Sequence, residues 1–331
     1  MGESGYTGTF PCPPPADFVA MKNLLVAAAA FLAVCLSVSP ASAQTNAQEP
    51  GTKQFEIPLW DGMPPGSSEQ GDGDVPKLIC TLVDASDPVA AIVILPGGGY
   101  GGHAIGHEGY QIAEWFEERG VSSAICTYRL RGKGNAGKGY GHPVPLQDAQ
   151  RAIQTLRANA AEWNIDPERI GVIGFSAGGH LCATVSTRYA GQPDDSSDRV
   201  GSVSSRPDYS ILCYPVIAFG KPHTHRGSQQ NLLGADASAE LISDTSGEVH
   251  VSDQTPPSFL FHTAADKVVP AQNSLDYYSA LLRHEIPSEL HVFPEGRHGL
   301  GLAKDQPGAS VWPSLCEQWL RGLGVVTIEP R

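Results

Sequence analysis

An apolar run that leads directly into a serine between glycines constrains this chain most. Residues 169–175, RIGVIGF, have the composition of a buried strand, and SAGGH follows at once. Gly174, Ser176 and Gly178 fit the pattern G-x-S-x-G, in which a sharp strand-to-helix turn exposes a serine hydroxyl. The same pattern also occurs by chance as an ordinary Gly/Ser turn. The rest of the chain must decide between a nucleophile and a turn.

Apolar runs alternate with helical patterns along most of the chain. Further strand-like runs occur at 90–96, 121–128, 209–215, 257–263 and 288–294, and helix-like patterns at 109–120, 145–163 and 273–286. This alternation is typical of an α/β protein with a mostly parallel central sheet and helices on both faces. We predict a polar N-terminal leader at 44–75, followed by one domain over 76–331.

A long polar stretch at 216–256 breaks the alternation between two predicted strands. Loops of this length are either solvated excursions or functional covers over a site. Both alternatives stay open, and the stretch is a candidate cap insertion.

The N-terminal stretch predicts an export signal within residues 1–43. Lys22 precedes an apolar run over 24–38, and the small residues Ala-Ser-Ala follow at 41–43 as a cleavage signal. We expect translation to start at Met21, cleavage to follow Ala43, and the protein to be periplasmic or extracellular. The apolar run is shorter than the roughly 18 to 20 residues that a membrane span needs, so no stable membrane insertion is expected. Lipid attachment at Cys35 is the minor alternative.

Charge and cysteine usage exclude several classes of partner. The 35 acidic and 22 basic residues give a formal net charge of −13, which disfavours nucleic acid and anionic membranes. No CxxC occurs, so buried free thiols are favoured over a disulfide framework or a zinc site, and no metal or cofactor is expected. The cysteines beyond the signal are Cys80, Cys126, Cys182, Cys213 and Cys316.

A nucleophilic serine also needs backbone donors for the oxyanion. The glycine-rich run LPGGGYGG at 95–102 follows a predicted strand, where such a loop is placed in enzymes with this elbow. We predict that the amide of Gly98 or Gly99, together with that of Ala177, forms the oxyanion hole. A phosphate-binding loop is the rival interpretation, but no Lys-Ser/Thr follows the run.

A base and an orienting acid complete the chemistry that a serine requires. His298 lies in a glycine-flanked loop just beyond the predicted strand at 288–294, and it is our candidate base. Asp266 follows the run at 257–263 and is our candidate acid, although an aspartate there also serves as a turn residue. The chain order Ser176, Asp266, His298 is that of the α/β-hydrolase fold, which we therefore predict with a Ser-His-Asp triad.

Four further charged or titratable residues attract attention. His103 and His107 follow the glycine loop and are candidates for substrate contact, with solvated loop residues as the equal alternative. Asp148, near the start of a predicted helix, is expected to complement the helix dipole or to anchor the preceding loop. Arg129, at a strand end, is expected to form a buried ion pair.

The chain resembles the secreted bacterial esterases related to acetyl xylan esterases and feruloyl esterases, from about Phe55 to the C-terminus. The resemblance is carried by ordered blocks that include PGGGYGGHAIGHEGYQIAEWF, HPVPLQDAQRAIQTLR, DPERIGVIGFSAGGHL and TPPSFLFHTAADKVVP. It implies a triad of Ser176, Asp266 and His298, and a serine carboxylesterase that acts on acylated polysaccharide, above all on O-acetyl groups of xylan. Some relatives carry a xylanase label, but no carboxylate pair for glycosidase chemistry stands out here.

Two other function classes stay open. A serine peptidase of the prolyl oligopeptidase type shares the order of catalytic residues, but the propeller-sized N-terminal region of that class is absent. A catalytically silent polysaccharide-binding protein on a hydrolase scaffold is the other alternative. The presence of the serine, aspartate, histidine and glycine loop argues against it.

Overall fold

Eight strands form one sheet in the computed structural model, which describes residues 51–327 apart from 69, 72 and 190–197. The strands lie side by side in the order β1-β2-β4-β3-β5-β6-β7-β8. In chain order they are β1 (Lys53–Pro58), β2 (Lys77–Leu82), β3 (Val89–Leu95), β4 (Ser122–Cys126), β5 (Ile165–Phe175), β6 (Ser210–Cys213), β7 (Ser258–Thr263) and β8 (Ser288–Phe293).

The six strands from β4 to β8 in the sheet are parallel, and β1 and β2 form an antiparallel edge. In a parallel sheet all strands end at one edge, and ligands bind there. The predicted α/β-hydrolase architecture, a mostly parallel sheet with helices, is confirmed.

Helices cover both faces of the sheet because successive strand side chains point to opposite sides. The helices are α1 (Gln111–Glu117), α2 (Val144–Ala158), α3 (Ala177–Thr187), α4 (Arg226–Leu233), α5 (Ala239–Asp244), α6 (Gln272–Arg283) and α7 (Trp312–Gly322). Val93 of β3 belongs to the apolar core under α2, α3 and α6, and Ile92 and Ile94 belong to the core under α1 and α7.

The sheet begins ahead of the domain boundary predicted at residue 76. Within the stretch expected to be a polar leader, β1 pairs with β2 at the edge of the sheet. Its polar residues are exposed, and only Phe55 and Ile57 pack against the core. A short edge strand that alternates in this way is polar on average, so composition alone does not reveal it.

A buried ion pair joins the end of β4 to α2. Arg129 donates from Nη2 to Asp148 Oδ1 at 2.7 Å and from Nε to Oδ2 at 2.9 Å. The Trp60 indole also donates to Oδ1, at 2.9 Å. The prediction for Arg129 is confirmed. The prediction for Asp148 is wrong. Its carboxylate forms an ion pair with the guanidinium of Arg129, 19 residues earlier in the chain, and does not bond to the residues directly before the helix.

The insertion at 216–256 contains α4 and α5 and packs on its surroundings. The amides of Ile217 and Ala218 donate to Asn273 Oδ1 of α6 at 3.0 and 3.1 Å. Asn231 Nδ2 of α4 donates to the carbonyl of Gly99 at 2.8 Å. The first helix of the insertion, α4, therefore contacts the glycine loop that follows β3.

Gln48–Arg331 forms one compact unit. Among the residues described, no helix has the length and apolar character needed to cross a bilayer. The five cysteines predicted to be buried thiols are buried and unpaired within this part of the chain. The predicted export signal at 1–43 and Cys35 fall outside the described residues, so export stays a prediction.

Candidate active site

Ser176 occupies a strained turn between β5 and α3. Its φ of 52° and ψ of −116° are backbone angles that side-chain-bearing residues rarely adopt. A Cβ on Gly174 would lie 2.1 Å from the carbonyl oxygen of Gly178, and one on Gly178 would lie 2.0 Å from that of Leu95. Both flanking glycines are therefore required, and the motif is a strand-to-helix elbow and no ordinary turn.

The structure brings the three predicted triad residues together. His298 Nε2 lies 2.8 Å from Ser176 Oγ, and His298 Nδ1 lies 2.6 Å from Asp266 Oδ2. Because a carboxylate only accepts hydrogen bonds, Nδ1 carries the proton and Nε2 accepts from the serine hydroxyl. All three residues follow ends of parallel strands, β5, β7 and β8, which explains why distant parts of the chain meet at one edge.

Asp266 is buried and held from several sides. Its Oδ1 accepts from the amides of Val268 at 2.8 Å and Val269 at 3.0 Å. His262 Nε2 lies 3.6 Å from Oδ2. Burial by itself raises the pKa of Asp266, but the His262 and His298 rings and the Val269 amide outweigh burial and hold this pKa well below its usual range. The carboxylate therefore stays ionised beside the imidazole.

The glycine loop after β3 lies directly against the serine. A Cβ on Gly97 would lie 2.9 Å from Ser176 Cβ. Gly98 and Gly99 have φ of 134° and 63°, a conformation that favours glycine. Within the described residues the amides of Gly98, Gly99 and Ala177 donate to no protein acceptor. Free amides beside a serine hydroxyl suit an oxyanion, and the role predicted for these three residues stays a prediction.

A buried carboxylate that the sequence analysis did not single out ties two site loops together. Glu108 lies in a π-helical turn at Gly106–Tyr110 and is 2% exposed. Its Oε2 accepts from the Gly97 amide at 2.8 Å, and its Oε1 accepts from the Tyr214 hydroxyl at 2.8 Å. The same hydroxyl accepts from the Gly301 amide at 2.8 Å. Glu108 thus joins the glycine loop to the loop that carries His298.

Tyr214 and His262 are the other neighbours of the triad that sequence reasoning missed. The Tyr214 ring packs edge-on against His298, with centroids 5.1 Å apart. His262 lies within β7 and donates from Nε2 to the Val269 carbonyl at 2.9 Å beside Asp266. The sequence marks these two residues only by their position, because they stand at the carboxyl ends of β6 and β7, the strands that adjoin the site.

The two histidines proposed for substrate contact lie in different surroundings. His103 packs edge-on against Tyr128 with centroids 4.6 Å apart, and burial lowers its pKa to about 4. Its Nε2 is buried and has no hydrogen-bond partner among the described residues. His107 is 45% exposed and adjoins Gly301, and its Nε2 lies 3.6 Å from Glu108 Oε1. Hydrogen bonding with Glu108 raises the pKa of His107. Only His107 borders the His298 loop.

The described residues contain no group of three or more His, Cys, Asp or Glu side chains arranged to hold a metal ion. The groups that the structure gathers around Ser176 are a base, an acid and backbone donors. Such a set is suited to acyl transfer.

Comparison with known proteins decides the family. The BD-FAE family model matches residues 83–281, which is more than half of the chain and includes Ser176 and Asp266. The chain belongs to the BD-FAE family of α/β-hydrolase esterases. The resemblance inferred from the sequence is confirmed, and so is the predicted enzyme class, an acetyl xylan esterase-like carboxylic ester hydrolase.

Two solved structures show how far the BD-FAE likeness extends. An acetyl ester-xyloside bifunctional hydrolase from Caldicellulosiruptor lactoaceticus is 41% identical, with a TM-score of 0.77 over 82% of this chain and 97% of that one. A carboxylesterase from Lactobacillus plantarum is 25% identical, with a TM-score of 0.64 over 84% of this chain and 100% of that one.

Two curated relatives are longer proteins. Endo-1,4-beta-xylanase B of Butyrivibrio fibrisolvens is 35% identical over 257 residues, which are 78% of this chain and 39% of that protein. The acetylxylan esterase of Xylanibacter ruminicola is 32% identical over 252 residues, which are 75% of this chain and 47% of that protein. The chain therefore spans less than half the length of either relative.

Proposed function

We propose that this chain is a serine carboxylesterase that removes O-acetyl groups from xylan or a related polysaccharide. The observation that carries the proposal is the continuous hydrogen-bonded series Asp266–His298–Ser176, which ends in a serine hydroxyl on a strained elbow. The xylan part of the proposal is supported by similarity to the acetylxylan esterase of Xylanibacter ruminicola and to the acetyl ester-xyloside hydrolase.

Acylation begins when Ser176 Oγ attacks the carbonyl carbon of the ester. His298 Nε2 takes the hydroxyl proton, and ionised Asp266 holds the imidazole in the required orientation and stabilises its charge. The carbonyl oxygen becomes an oxyanion and accepts from the free amides of the Gly98–Gly99 loop and of Ala177. His298 then returns the proton to the sugar oxygen, which leaves as an alcohol.

Deacylation repeats these steps with water as the nucleophile. His298 Nε2 removes a proton from water, which attacks the acetyl group on Ser176. The tetrahedral intermediate collapses, acetate leaves, and the proton returns to Ser176 Oγ. Each residue thus acts twice, and the distances from Asp266 to His298 and from His298 to Ser176 support both halves.

Acetate release from acetylated xylan tests the proposal. The purified protein is compared with Ser176→Ala, and 4-nitrophenyl acetate serves as the substrate without sugar. We expect acetate from both substrates with the wild type and a loss of at least about 10⁴-fold with the variant. Hydrolysis of the aryl acetate alone would refute the xylan assignment and leave the serine mechanism standing.

Two further measurements separate the alternative functions. A prolyl peptide anilide tests the peptidase alternative, and we expect no hydrolysis. Binding of acetylated xylan by a wild type that releases acetate from neither substrate would favour the silent binding protein. Retained acetate release in Ser176→Ala would contradict the mechanism itself.

A further inference from the structure

The insertion at 216–256 places a histidine against the glycine loop. His225 is half-buried and directly precedes α4. Its Cε1 lies 4.0 Å from the position that a Cβ on Gly99 would take, and Ser228 Oγ lies 3.9 Å from the same position. Together with the hydrogen bond from Asn231 to the Gly99 carbonyl, these contacts dock the start of α4 on the proposed oxyanion loop.

Helix capping determines which nitrogen of His225 carries the proton. His225 Nδ1 accepts from the Ser228 amide at 3.3 Å and lies 2.8 Å from Ser228 Oγ. A ring nitrogen that accepts from an N–H is unprotonated, so the proton of the neutral ring is on Nε2. Among the described residues Nε2 has no acceptor. The cap thus leaves a donor available beside the site.

The electrostatic surroundings keep this histidine neutral. Burial and the charge of His298 lower the pKa of His225, with Asp266 opposing them. Because the charges of His298 and Asp266 act on this pKa, His225 lies near both residues. At neutral pH the ring therefore offers one N–H donor and no charge.

The direction of the proposed reaction defines what His225 would meet. The carbonyl oxygen of the ester must face the amides of the glycine loop, and the leaving oxygen must face His298, which protonates it. The sugar is therefore expected close to His298 and to the glycine loop, and His225 contacts that loop at Gly99. Sugar hydroxyls are ready hydrogen-bond acceptors.

We propose that His225 is a specificity-determining residue that donates from Nε2 to an oxygen of the sugar that carries the ester. This inference rests on the proposed function. It assigns the start of α4 to recognition of the alcohol part of the substrate. An aryl acetate offers no sugar oxygen to His225, so the residue raises the preference for sugar esters.

Two substitutions separate the donor from the cap. In His225→Asn the amide oxygen can replace Nδ1 as the cap, because asparagine is a preferred N-cap residue, but nothing replaces Nε2. In His225→Gln the longer side chain can place an amide N–H near Nε2 and loses the Nδ1 position. His250→Asn is the matched control, because His250 lies in the same insertion and bonds to the Asp244 carbonyl.

The quantity measured is the ratio of kcat/KM for an acetylated xylo-oligosaccharide to kcat/KM for 4-nitrophenyl acetate. We expect this ratio to fall about 5- to 10-fold in His225→Asn, the range of one hydrogen bond, and to be largely retained in His225→Gln and His250→Asn. An unchanged ratio in His225→Asn, or a loss in His225→Gln alone, would overturn the inference. A wild type that hydrolyses only the aryl acetate would overturn the proposed function together with it.

Discussion

Two buried aspartates at the same edge of the sheet have opposite surroundings. Asp148 accepts two hydrogen bonds from the Arg129 guanidinium and one from the Arg129 amide. The remaining Nη1 of Arg129 donates to the Pro65 carbonyl at 2.6 Å and to Ser67 Oγ at 3.0 Å. The hydrogen bonds of that network therefore join only side chains and backbone groups that hold the fold together. Asp266 instead begins a series that passes through His298 and ends at the hydroxyl of Ser176.

This difference distinguishes a charge cluster that stabilises the fold from one that belongs to a candidate active site. Burial and pairing are common to both, so neither property identifies a site. The distinguishing feature is the end of the hydrogen-bonded series. For Asp148 the series ends in structural partners, and for Asp266 it ends in a serine hydroxyl beside amides that have no acceptor among the described residues. The same substitution, aspartate to asparagine, can therefore test both clusters.

Asp266→Asn is expected to have the largest effect. Asparagine can still accept from the Val268 and Val269 amides, but it no longer stabilises the charged imidazole or its tautomer. We expect kcat to fall about 10⁴-fold, with a melting temperature close to that of the wild type. Steady-state kinetics and thermal unfolding check both parts. Activity within 10-fold of the wild type would contradict the role of Asp266.

Asp148→Asn is expected to act on stability. The change leaves the Arg129 guanidinium buried without its counter-ion, so the free energy of unfolding should fall by about 3 to 5 kcal/mol. Urea unfolding measures this loss, and kcat of the folded fraction at low temperature should stay close to the wild-type value. Replacing both partners, with Arg129→Met and Asp148→Leu, should recover part of the loss. An unfolding free energy unchanged in Asp148→Asn would refute the contrast.

A buried histidine predicts how stability depends on pH. His180 on α3 lies 2.7 Å from the Tyr100 hydroxyl through Nδ1 and 2.7 Å from the Thr245 carbonyl through Nε2. Burial lowers its pKa from 6.5 to about 4, so the folded protein excludes a proton that the unfolded chain binds. The resulting stabilisation is complete above pH 6.5 and is lost as the pH falls toward 4.

Between pH 7 and pH 4 this linkage at His180 should remove about 3 kcal/mol from the free energy of unfolding. Urea unfolding at a series of pH values measures the slope. In His180→Gln the unfolding free energy should change less steeply with pH over this range, by the amount that corresponds to the uptake of nearly one proton on unfolding. Parallel curves for the two proteins would show that His180 does not titrate in this way.

Glu108→Gln is expected to have the smallest effect. A glutamine side chain accepts through one oxygen only, so either the Gly97 amide or the Tyr214 hydroxyl loses its partner. We expect kcat/KM to fall about 10-fold because the glycine loop and the His298 loop are held less accurately. Tyr214→Phe breaks the same connection from the other side. Additive losses in the double variant would contradict a shared network.

Much of the fold and the triad could be predicted from the sequence because their signals are local. Each strand is a continuous run in the sequence. The glycines around Ser176 and the loops that carry Asp266 and His298 directly follow strand ends. Contacts between distant segments could not be predicted in the same way. Glu108 meets Tyr214 across 106 residues, and nothing in the neighbourhood of either marks the partner.

The edge strand and the ion pair show the same limit. β1 alternates polar and apolar residues at an exposed edge, so its composition resembles that of a loop. Asp148 stands near a helix start, where an aspartate commonly serves the helix dipole, and only the folded chain brings Arg129 to it. Local propensity is informative until tertiary contacts compete with it.

Labelling with a fluorophosphonate shows whether the Ser176 hydroxyl is activated, because this reagent reacts with a serine only when a base has activated its hydroxyl. The labelled protein is digested, and the modified peptide is identified by mass spectrometry. We expect one adduct on Ser176 in the wild type, none in Ser176→Ala, and strongly slowed labelling in Asp266→Asn. Labelling of a different serine, or an unlabelled wild type, would contradict the catalytic role of Ser176.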